Sequence, residues 1–387
     1  MEFGAIDAGS AGAFSSTNPL IYSVDNNPAL LVLGYKYSFT SNYYQFNIIE
    51  PVEYYYNSVS ANLHEFAFGL SHYDRKFKWF PTQAYSFGLS SHLTKNSSIG
   101  ITLRYIHSRI SKYDANNLCF GIGYYSYNHL NKISYKNESV LKQFFITKYF
   151  KNDNRGFQEG ISFGFSLRNL GPNVVFVDVD QGDPLPQEIN LGLSYSPIVT
   201  NLISLKIGYD FEKDLVASFP DRDIDGNGII GGYDKNGDKD ITGVYSKNGK
   251  IENAHNDKWY RALITSWADN WFLLYDSALD GIAENDEDGN TNDGSFRSEL
   301  KSITNHLGMD VSLVGFFGFK FGKIFNQFGG RNVNCWGFYI GPDFLRYHFS
   351  KNKCSYIDSD YKYDIEFHTV ELNYTPALNQ IMEKIFK

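Results

Sequence analysis

The chain has 387 residues and a formal net charge of -8, which argues against nucleic acid as its main partner, because binding to phosphate backbones requires a basic surface. It contains 29 Tyr and 32 Phe, far more aromatic side chains than one soluble core needs. Outer-membrane barrels use such residues in girdles at both membrane interfaces. Composition therefore favours a membrane β-barrel.

Other compositional features limit the alternatives. No run approaches the roughly 20 apolar residues that a membrane helix needs. Residues 1–20 lack the basic start and apolar stretch of a signal peptide, so we interpret the chain as a processed form with an added Met. Cys119, Cys335 and Cys354 lack metal-ligand spacing. Cys335 and Cys354 could pair, but three thiols make no disulfide framework.

Residues 1–30 are not strand-like and are rich in Gly, Ala, Ser and Asn. They allow two interpretations. One is a loose N-terminal tail, and the other is a hatch of small residues folded inside the mouth of a barrel. From Leu31 onward, alternating segments follow one another closely, beginning with LVLGYKYSF.

The hairpin-like stretch from Ile161 to Tyr195 shows the alternation most clearly. Large apolar residues occupy one face and Ser, Gly, Asn or Arg the other, because side chains alternate along a strand. In a soluble sandwich the large face would meet a core; in a membrane barrel it would meet lipid. The barrel interpretation places on the lipid side Phe163, Phe165, Leu191 and Leu193. It also predicts that Arg is tolerated better at Ser166 than at Phe165.

Strand length and composition favour the barrel. The segments approach the roughly 9–11 residues that a tilted membrane strand requires. Their small face repeatedly holds Gly and Ser instead of the charged residues of a water-exposed sheet. Many such strands with hardly a helix indicate a closed antiparallel barrel. The strand pattern is predicted for residues 31–212 and again for 304–387.

Residues 213–303 interrupt this pattern with two acidic loops and a predicted helix. Large side chains recur every four residues on one helix face. They are Trp259, Leu263, Trp267, Trp271 and Tyr275. This stripe packs the insertion onto the barrel rim, or it forms a docking surface for a partner or lipid. The sequence leaves both open.

The segment DRDIDGNGIIGGYDKNGDKDITG contains a candidate calcium loop. Oxygen donors at alternate positions, a turn Gly at the sixth position and a carboxylate at the twelfth are the elements of such a loop. The proposed ligands are Asp223, Asp225, Asn227, the carbonyl of Ile229, and Asp234. A weaker run continues through Asn236, Asp238 and Asp240. The alternative is a solvated Asp/Asn/Gly turn.

No catalytic pattern is present in the sequence. It contains no nucleophile elbow, no phosphate-binding loop and no zinc-binding helix. We therefore expect a protein that is not an enzyme and that has no cofactor apart from structural calcium.

Several short segments resemble the PorV/PorQ family of the type IX secretion system. They are Asn27-Pro28-Ala29 after the small-residue start, Arg168-Asn169-Leu170-Gly171-Pro172, Leu185-Pro186 before INLGLSY, and Gly294-Ser295-Phe296-Arg297-Ser298-Glu299-Leu300. The resemblance implies the fourteen-stranded barrel of FadL-type transporters. The acidic loop, the Trp-rich helix and a terminus ending in Phe386-Lys387 depart from the family pattern.

The resemblance implies a non-enzymatic bacterial outer-membrane component of protein secretion. Its partners would be a large translocon barrel, cargo proteins with C-terminal sorting domains, and membrane lipids. The alternative is a FadL-like channel for hydrophobic small molecules. A third interpretation, a soluble β-rich surface protein, predicts that the chain is stable without detergent.

Overall fold

The structure of the chain is a computed structural model. The structure describes residues 5–18, 21–47, 51–127, 159–176, 184–200, 202–215, 259–267, 300–326, 331–356, 362–374 and 378. Within these ranges nearly all residues after position 36 lie in strands. The architecture is therefore almost entirely β-sheet.

Fourteen antiparallel strands close into one barrel, in which each strand pairs with its neighbours in the chain and β1 pairs with β14. This confirms the predicted barrel fold. The strands are β1 Tyr37–Asn47, β2 Pro51–Asn62, β3 Phe66–Lys76, β4 Thr82–Thr94, β5 Ser97–Ile110, β6 Tyr113–Ser126, β7 Gly160–Leu170, β8 Glu188–Val199, β9 Ile203–Asp214, β10 Thr304–Leu313, β11 Phe317–Asn326, β12 Arg331–Ile340, β13 Leu345–Tyr356 and β14 Lys362–Asn373.

The outer surface of the barrel is apolar. In an antiparallel ladder directly paired residues project from the same face, so a row of pairs defines a band. One such row of exposed residues crosses β14 and β1 to β6 without interruption: Leu372, Phe39, Val59, Leu70, Phe87, Leu103 and Phe120. A second row crosses β8 to β12: Tyr195, Ile207, Met309, Phe321 and Trp336.

The β7–β8 hairpin has the faces that its alternation predicts. Phe163 pairs with Leu193 and Phe165 pairs with Leu191, and these four side chains lie on the outer face of the wall. Ser162, Ser166 and Arg168 point into the lumen and are buried.

The N-terminal segment forms a short α-helix, α1 (Ala5–Ala8), and two 3-10 helices, η1 (Ile21–Val24) and η2 (Pro28–Leu33). The strand predicted from Leu31 begins instead at Tyr37. The reason is local: Asn27 caps η2 by accepting the backbone N–H of Ala29, and Pro28 has the fixed φ that suits a first helical turn. Leu31 is buried as part of η2.

A further short helix, Trp259–Thr265, lies in the connection between β9 and β10. Among the described residues there is no helix that combines the length and apolar character needed to cross a bilayer. Cys119, Cys335 and Cys354 all lie in described strands and are buried, and no disulfide joins them.

Candidate functional site: the plug and the adjoining wall cleft

The N-terminal segment lies inside the barrel. We call its described residues from Ala5 to Gly34 the plug. Its largest side chains, Phe14, Tyr22 and Leu30, are at most 1% exposed. The η2 helix contacts β2 to β6, and α1 contacts β12 to β14. The plug thus occupies the lumen and contacts the wall on opposite sides.

Glycines on the wall make room for this plug. Each of the consecutive strands β3 to β12 has a lumen-facing Gly whose missing side chain leaves space for a plug residue: Gly69, Gly88, Gly100, Gly123, Gly164, Gly192, Gly208, Gly308, Gly322 and Gly337. The approach is closest at Gly164, where an added Cβ would lie 1.9 Å from the carbonyl oxygen of Ser16. At Gly123 it would lie 2.0 Å from Asn27 Oδ1. Any side chain at these two positions would displace the plug.

One carboxylate of the plug, that of Asp25, is held by four neighbouring strands. Tyr56 of β2 donates to it at 2.7 Å, Ser71 of β3 at 2.6 Å and Ser86 of β4 at 2.6 Å. Arg104 of β5 forms a salt bridge with the same carboxylate. A buried charge requires such compensation, because desolvation otherwise favours the neutral form.

The balance of these effects keeps Asp25 ionised. Burial by itself would raise the pKa of Asp25, but the Arg104 guanidinium and the hydroxyl donors lower it below its ordinary value. Asp7 in the plug is the contrasting case. Burial raises the pKa of Asp7 to about 6, although Lys320 and the side-chain amide of Asn26 act to lower it. Asp25 is therefore the charged contact between the plug and the wall.

A second set of contacts joins the plug to β7, β8 and β9. Arg168 donates to Asn26 Oδ1 at 3.3 Å and to Glu212 Oε2 at 2.8 Å, and it forms a salt bridge with Glu188. Nearby, Asp210 Oδ2 accepts the backbone N–H of Ser16 at 2.9 Å. The Arg168 guanidinium on the wall therefore contacts the wall carboxylates of Glu188 and Glu212 and the side-chain amide of Asn26 in the plug.

The first residue of the plug is bound to the last strand of the barrel. The backbone N–H of Ala5 donates to Thr369 Oγ1 of β14 at 2.9 Å. The hydroxyl oxygen of Tyr22 lies 3.1 Å from the same Oγ1. Thr369 in turn donates to Asn42 Oδ1 of β1 at 2.6 Å. The plug is therefore attached at the seam where the barrel closes.

The wall is irregular between β6 and β7. Phe120 pairs with Leu170 and Ile122 with Leu167, so two residues of β7, Arg168 and Asn169, stand opposite Gly121 alone. Such a bulge bends its strand and disrupts the ladder locally. Asn169 has a φ of +57°, which is uncommon for a residue with a side chain but is tolerated by Asn.

A cleft opens at this bulge. It is a narrow crevice, with a cavity volume of about 10 Å³, which is room for a single water molecule. Its lining extends from the plug to the outer wall: Asp25, Pro28, Thr102, Arg104, Cys119, Phe120, Gly121, Leu167, Arg168 and Asn169. It thus connects plug residues with Phe120, the last member of the exposed apolar row.

Arg104 links the plug to the bulge. Its guanidinium binds Asp25 and also donates to Asn169 Oδ1 across the intervening strand β6. Asn169 Nδ2 then donates to the carbonyl of Pro186 before β8, at 2.9 Å. Asn169, which carries the unusual backbone conformation, is therefore fixed by a side chain that also holds the plug.

The Trp259–Thr265 helix contacts the outer side of the same wall sector. The Trp259 ring meets Phe120 of β6 edge-on, with centroids 5.5 Å apart. Just beyond the helix, the Trp267 ring lies 6.4 Å from Phe211 of β9. Ser266 Oγ donates to the carbonyl of Leu215. Trp259 and Trp267, predicted members of the aromatic stripe, therefore contact the wall.

The structure leaves other predicted site residues untested. The candidate calcium ligands from Asp223 to Asp240 lie outside the described residues, as do Trp271 and Tyr275. Leu263 is described and half-buried. No group of three or more His, Cys, Asp or Glu within the described ranges is arranged to hold a metal ion. The docking stripe and the calcium loop stay predictions.

Sequence reasoning missed Asp25, Arg104 and Asn169 as site residues. A signal was present for Arg104, which, like Arg168 on β7, is a charged residue on a strand face rich in Ser, Thr and Gly. A charge facing a lumen requires a partner, which points to a filled interior. Asn169 gave no such signal, since a bulge follows from pairing and not from local sequence.

The fold and this interior define a class, a closed fourteen-stranded barrel with an internal plug and a cleft in its wall. Solved structures of similar fold include the CymD monoaromatic hydrocarbon channel, with a TM-score of 0.51, 8% identity, and coverage of 97% of this chain and 98% of that one. At this identity the likeness shows the fold alone.

Two further structures resemble the chain less closely. A FadL homologue of Pseudomonas aeruginosa has a TM-score of 0.47 at 9% identity, covering 96% of this chain and 98% of that one. The toluene transporter TodX of Pseudomonas putida has a TM-score of 0.47 at 8% identity, covering 95% and 97%. No protein-family profile and no curated protein sequence matches the chain.

Proposed function

We propose that the chain is a non-enzymatic outer-membrane channel for small hydrophobic molecules, which pass between its interior and the bilayer through the cleft at the β6–β7 bulge. The observation that carries this proposal is the interruption of the wall at the bulge, where a narrow crevice runs from Asp25 and Pro28 of the plug to Phe120 and Leu167 of the wall. This crevice would have to widen for a solute to pass. A route through the wall suits apolar solutes, because they need not cross a water-filled pore.

The outer surface supports a membrane location. Exposed apolar side chains form continuous rows around the barrel, and soluble proteins rarely expose apolar patches of this extent. Tyr37 and Tyr374 lie at one end of the strands and Tyr85 and Tyr105 toward the other, as expected of two aromatic girdles. The outer membrane is the location that such barrels occupy.

The connections suggest an orientation. The strand end next to the plug has the short turns 63–65, 95–96, 200–202, 314–316 and 341–344, together with the longer 127–159 connection. The opposite end has the 171–187 and 215–303 connections. Outer-membrane barrels keep short turns in the periplasm and longer loops outside. We place the longest connection, 215–303, on the exterior, which puts the strand end next to the plug in the periplasm.

The resemblance in fold to CymD adds a substrate class. CymD is described as a monoaromatic hydrocarbon channel. A monoaromatic ring is larger than the crevice of this structure, so its passage would require the plug and the wall to separate at the bulge. We take small aromatic hydrocarbons as the first substrates to test.

Uptake in a host that lacks its own hydrocarbon channel tests the proposal. The full chain should raise uptake of a radiolabelled monoaromatic hydrocarbon above that of the empty vector. Deletion of Asn169 removes the extra residue of the bulge and should abolish the increase, while heat-modifiable gel mobility shows that the barrel still forms. A folded barrel that gives no uptake above the vector sinks the proposal.

The secretion interpretation makes a different prediction. A type IX component should copurify with a much larger outer-membrane barrel, and its loss should leave cargo unprocessed in the periplasm. The short motifs that support the secretion interpretation are compatible with the fold. The channel interpretation gives a role to the cleft, whereas the secretion interpretation does not. Cargo retention with unchanged hydrocarbon uptake would favour secretion over transport.

A further inference from the structure

The helix Trp259–Thr265 has two distinct faces. Ala262 and Ser266 are buried, and Trp259, Leu263 and Trp267 are half-buried. Tyr260 and Ile264, one helical turn apart, are exposed. Ile264 is 77% exposed, more than any other large apolar side chain of the described residues. One face of the helix therefore packs on the barrel and the other presents apolar groups outward.

The helix extends across the wall between β6 and β9. Trp259 contacts Phe120 on β6, and Trp267 contacts Phe211 on β9. Lys213, which shares the outer face of β9 with Phe211, is buried under this region, with its amine 5.6 Å from the Trp267 ring and bonded to Ser302 Oγ at 3.1 Å. The segment from Trp259 to Trp267 thus covers the outer side of β7 and β8 at this level.

Leu170 supports this placement. It pairs directly with Phe120, so its side chain lies on the outer face of the wall. An outward residue at the end of a strand would ordinarily be exposed, yet Leu170 is only 1% exposed. Leu170 is therefore covered, and Trp259 contacts its pairing partner Phe120 on the outer side of the wall.

The exposed face of the helix continues the apolar surface of the barrel. Phe120, on which Trp259 rests, ends the exposed row that begins at Leu372. Tyr209, two residues before Phe211, is exposed and pairs with Leu193 and Leu307, which are exposed as well. Helices that lie in a bilayer interface bury aliphatic and aromatic side chains from one face at this depth.

We propose that this helix rests in the outer-leaflet interface of the membrane, with Tyr260 and Ile264 inserted among lipids, and that it covers the outer opening of the β6–β7 cleft. The partner is the lipid bilayer itself. The role as a cover for a transport route rests on the proposed function, whereas the contact with lipid does not. A hydrophobic molecule that moves between the cleft and the bilayer would pass beneath Trp259.

Fluorescence quenching in vesicles tests the lipid contact. Ile264→Cys and, separately, Tyr260→Cys are labelled with an environment-sensitive dye in the otherwise unchanged chain, whose own three thiols are buried. Leu193→Cys on the outer wall is the lipid-exposed control, and Glu65→Cys in the β2–β3 turn is the water-exposed control. Phosphatidylcholine vesicles carry doxyl quenchers in separate samples, one near the headgroup for the helix labels and one near the middle of the acyl chain for the Leu193→Cys label.

The labels at positions 264 and 260 should be quenched as the Leu193→Cys label is, while the Glu65→Cys label keeps its fluorescence. If both helix labels behave like the Glu65→Cys label, the helix does not touch lipid, whether or not the chain transports hydrocarbons. The cover is tested by maleimide modification of Leu170→Cys, which should be slow in the native background and accelerate when Trp259→Ala is added. An unchanged rate overturns the covering role.

Discussion

The Asp25 carboxylate and the Arg104 guanidinium form a buried salt bridge that joins the plug to the fifth strand of the barrel. Asp25 also accepts bonds from three hydroxyl groups, and Arg104 also donates to Ser86 and Asn169. Two side chains from opposite sides of the interface thus organise the lumen and the bulge together.

Removal of Arg104 should therefore weaken the plug. Breaking a buried ion pair by deleting one partner typically costs about 3–5 kcal/mol, because a charge is left uncompensated. We expect a loss of this order for Arg104→Met and a smaller loss for the double variant Asp25→Asn/Arg104→Met. Denaturant unfolding in phospholipid vesicles measures both.

The matched control for this prediction is Arg109→Met. Arg109 lies on the same strand and pairs with Asp114, but both side chains are largely solvent-exposed. Ion pairs exposed to solvent contribute little to stability, because water and salt screen them. Equal losses at Arg104 and Arg109 would contradict the importance of the plug contact.

The close approach at Gly164 predicts a second effect. An alanine Cβ there would overlap the Ser16 carbonyl, so Gly164→Ala should push the plug out of its position. Overpacking of this kind costs about 1–3 kcal/mol. In planar bilayers the variant should show larger ion conductance than the native chain. Ser166→Ala, two residues on and on the same face, should leave conductance unchanged.

The outer surface predicts a depth-dependent penalty. Leu193 is exposed on the wall, and Arg at such a site near the bilayer middle should cost about 2–4 kcal/mol. Leu193→Phe, which keeps the site apolar, should cost much less in the same unfolding experiment. Similar losses for the two variants would argue that this face does not contact lipid.

The calcium loop remains a prediction from sequence. Calcium should protect the segment 213–303 from protease by neutralising the clustered carboxylates of residues 223–234, with an affinity near about 10⁻⁴–10⁻³ M as in other extracellular modules. Asp225→Ala should remove the protection. If digestion proceeds identically with calcium, with chelator and in the variant, the segment is a solvated turn.

Period-two alternation predicted which side of each strand faces outward, because large and small residues must separate when one face meets an apolar phase and the other a crowded interior. It predicted Phe163 and Leu193 correctly for this reason. Alternation does not reveal what fills the lumen. Ser166 is 1% exposed beneath the plug, so Arg there is no longer expected to be well tolerated.

Local sequence patterns could not predict the conformation of the plug or the position of the bulge. The sequence from Leu31 was predicted to begin a strand, yet the Asn27 cap and Pro28 direct Leu31 to Leu33 into a 3-10 helix. The bulge at Asn169 depends on how β6 and β7 pair over a separation of about fifty residues. Contacts such as Asp25 with Arg104 arise only once the barrel has closed.

The bond between Ala5 and Thr369 has a consequence for biogenesis. Thr369 belongs to β14, the last barrel strand in chain order, and Ala5, which is bound to it, precedes the first strand. The N-terminal residues therefore reach their final position only after every strand has been made. An assembly intermediate that lacks β14 cannot form the hydrogen bond between Ala5 and Thr369, so its N-terminal segment is held by fewer contacts. A chain truncated before β14 should therefore be degraded from its N-terminal end first.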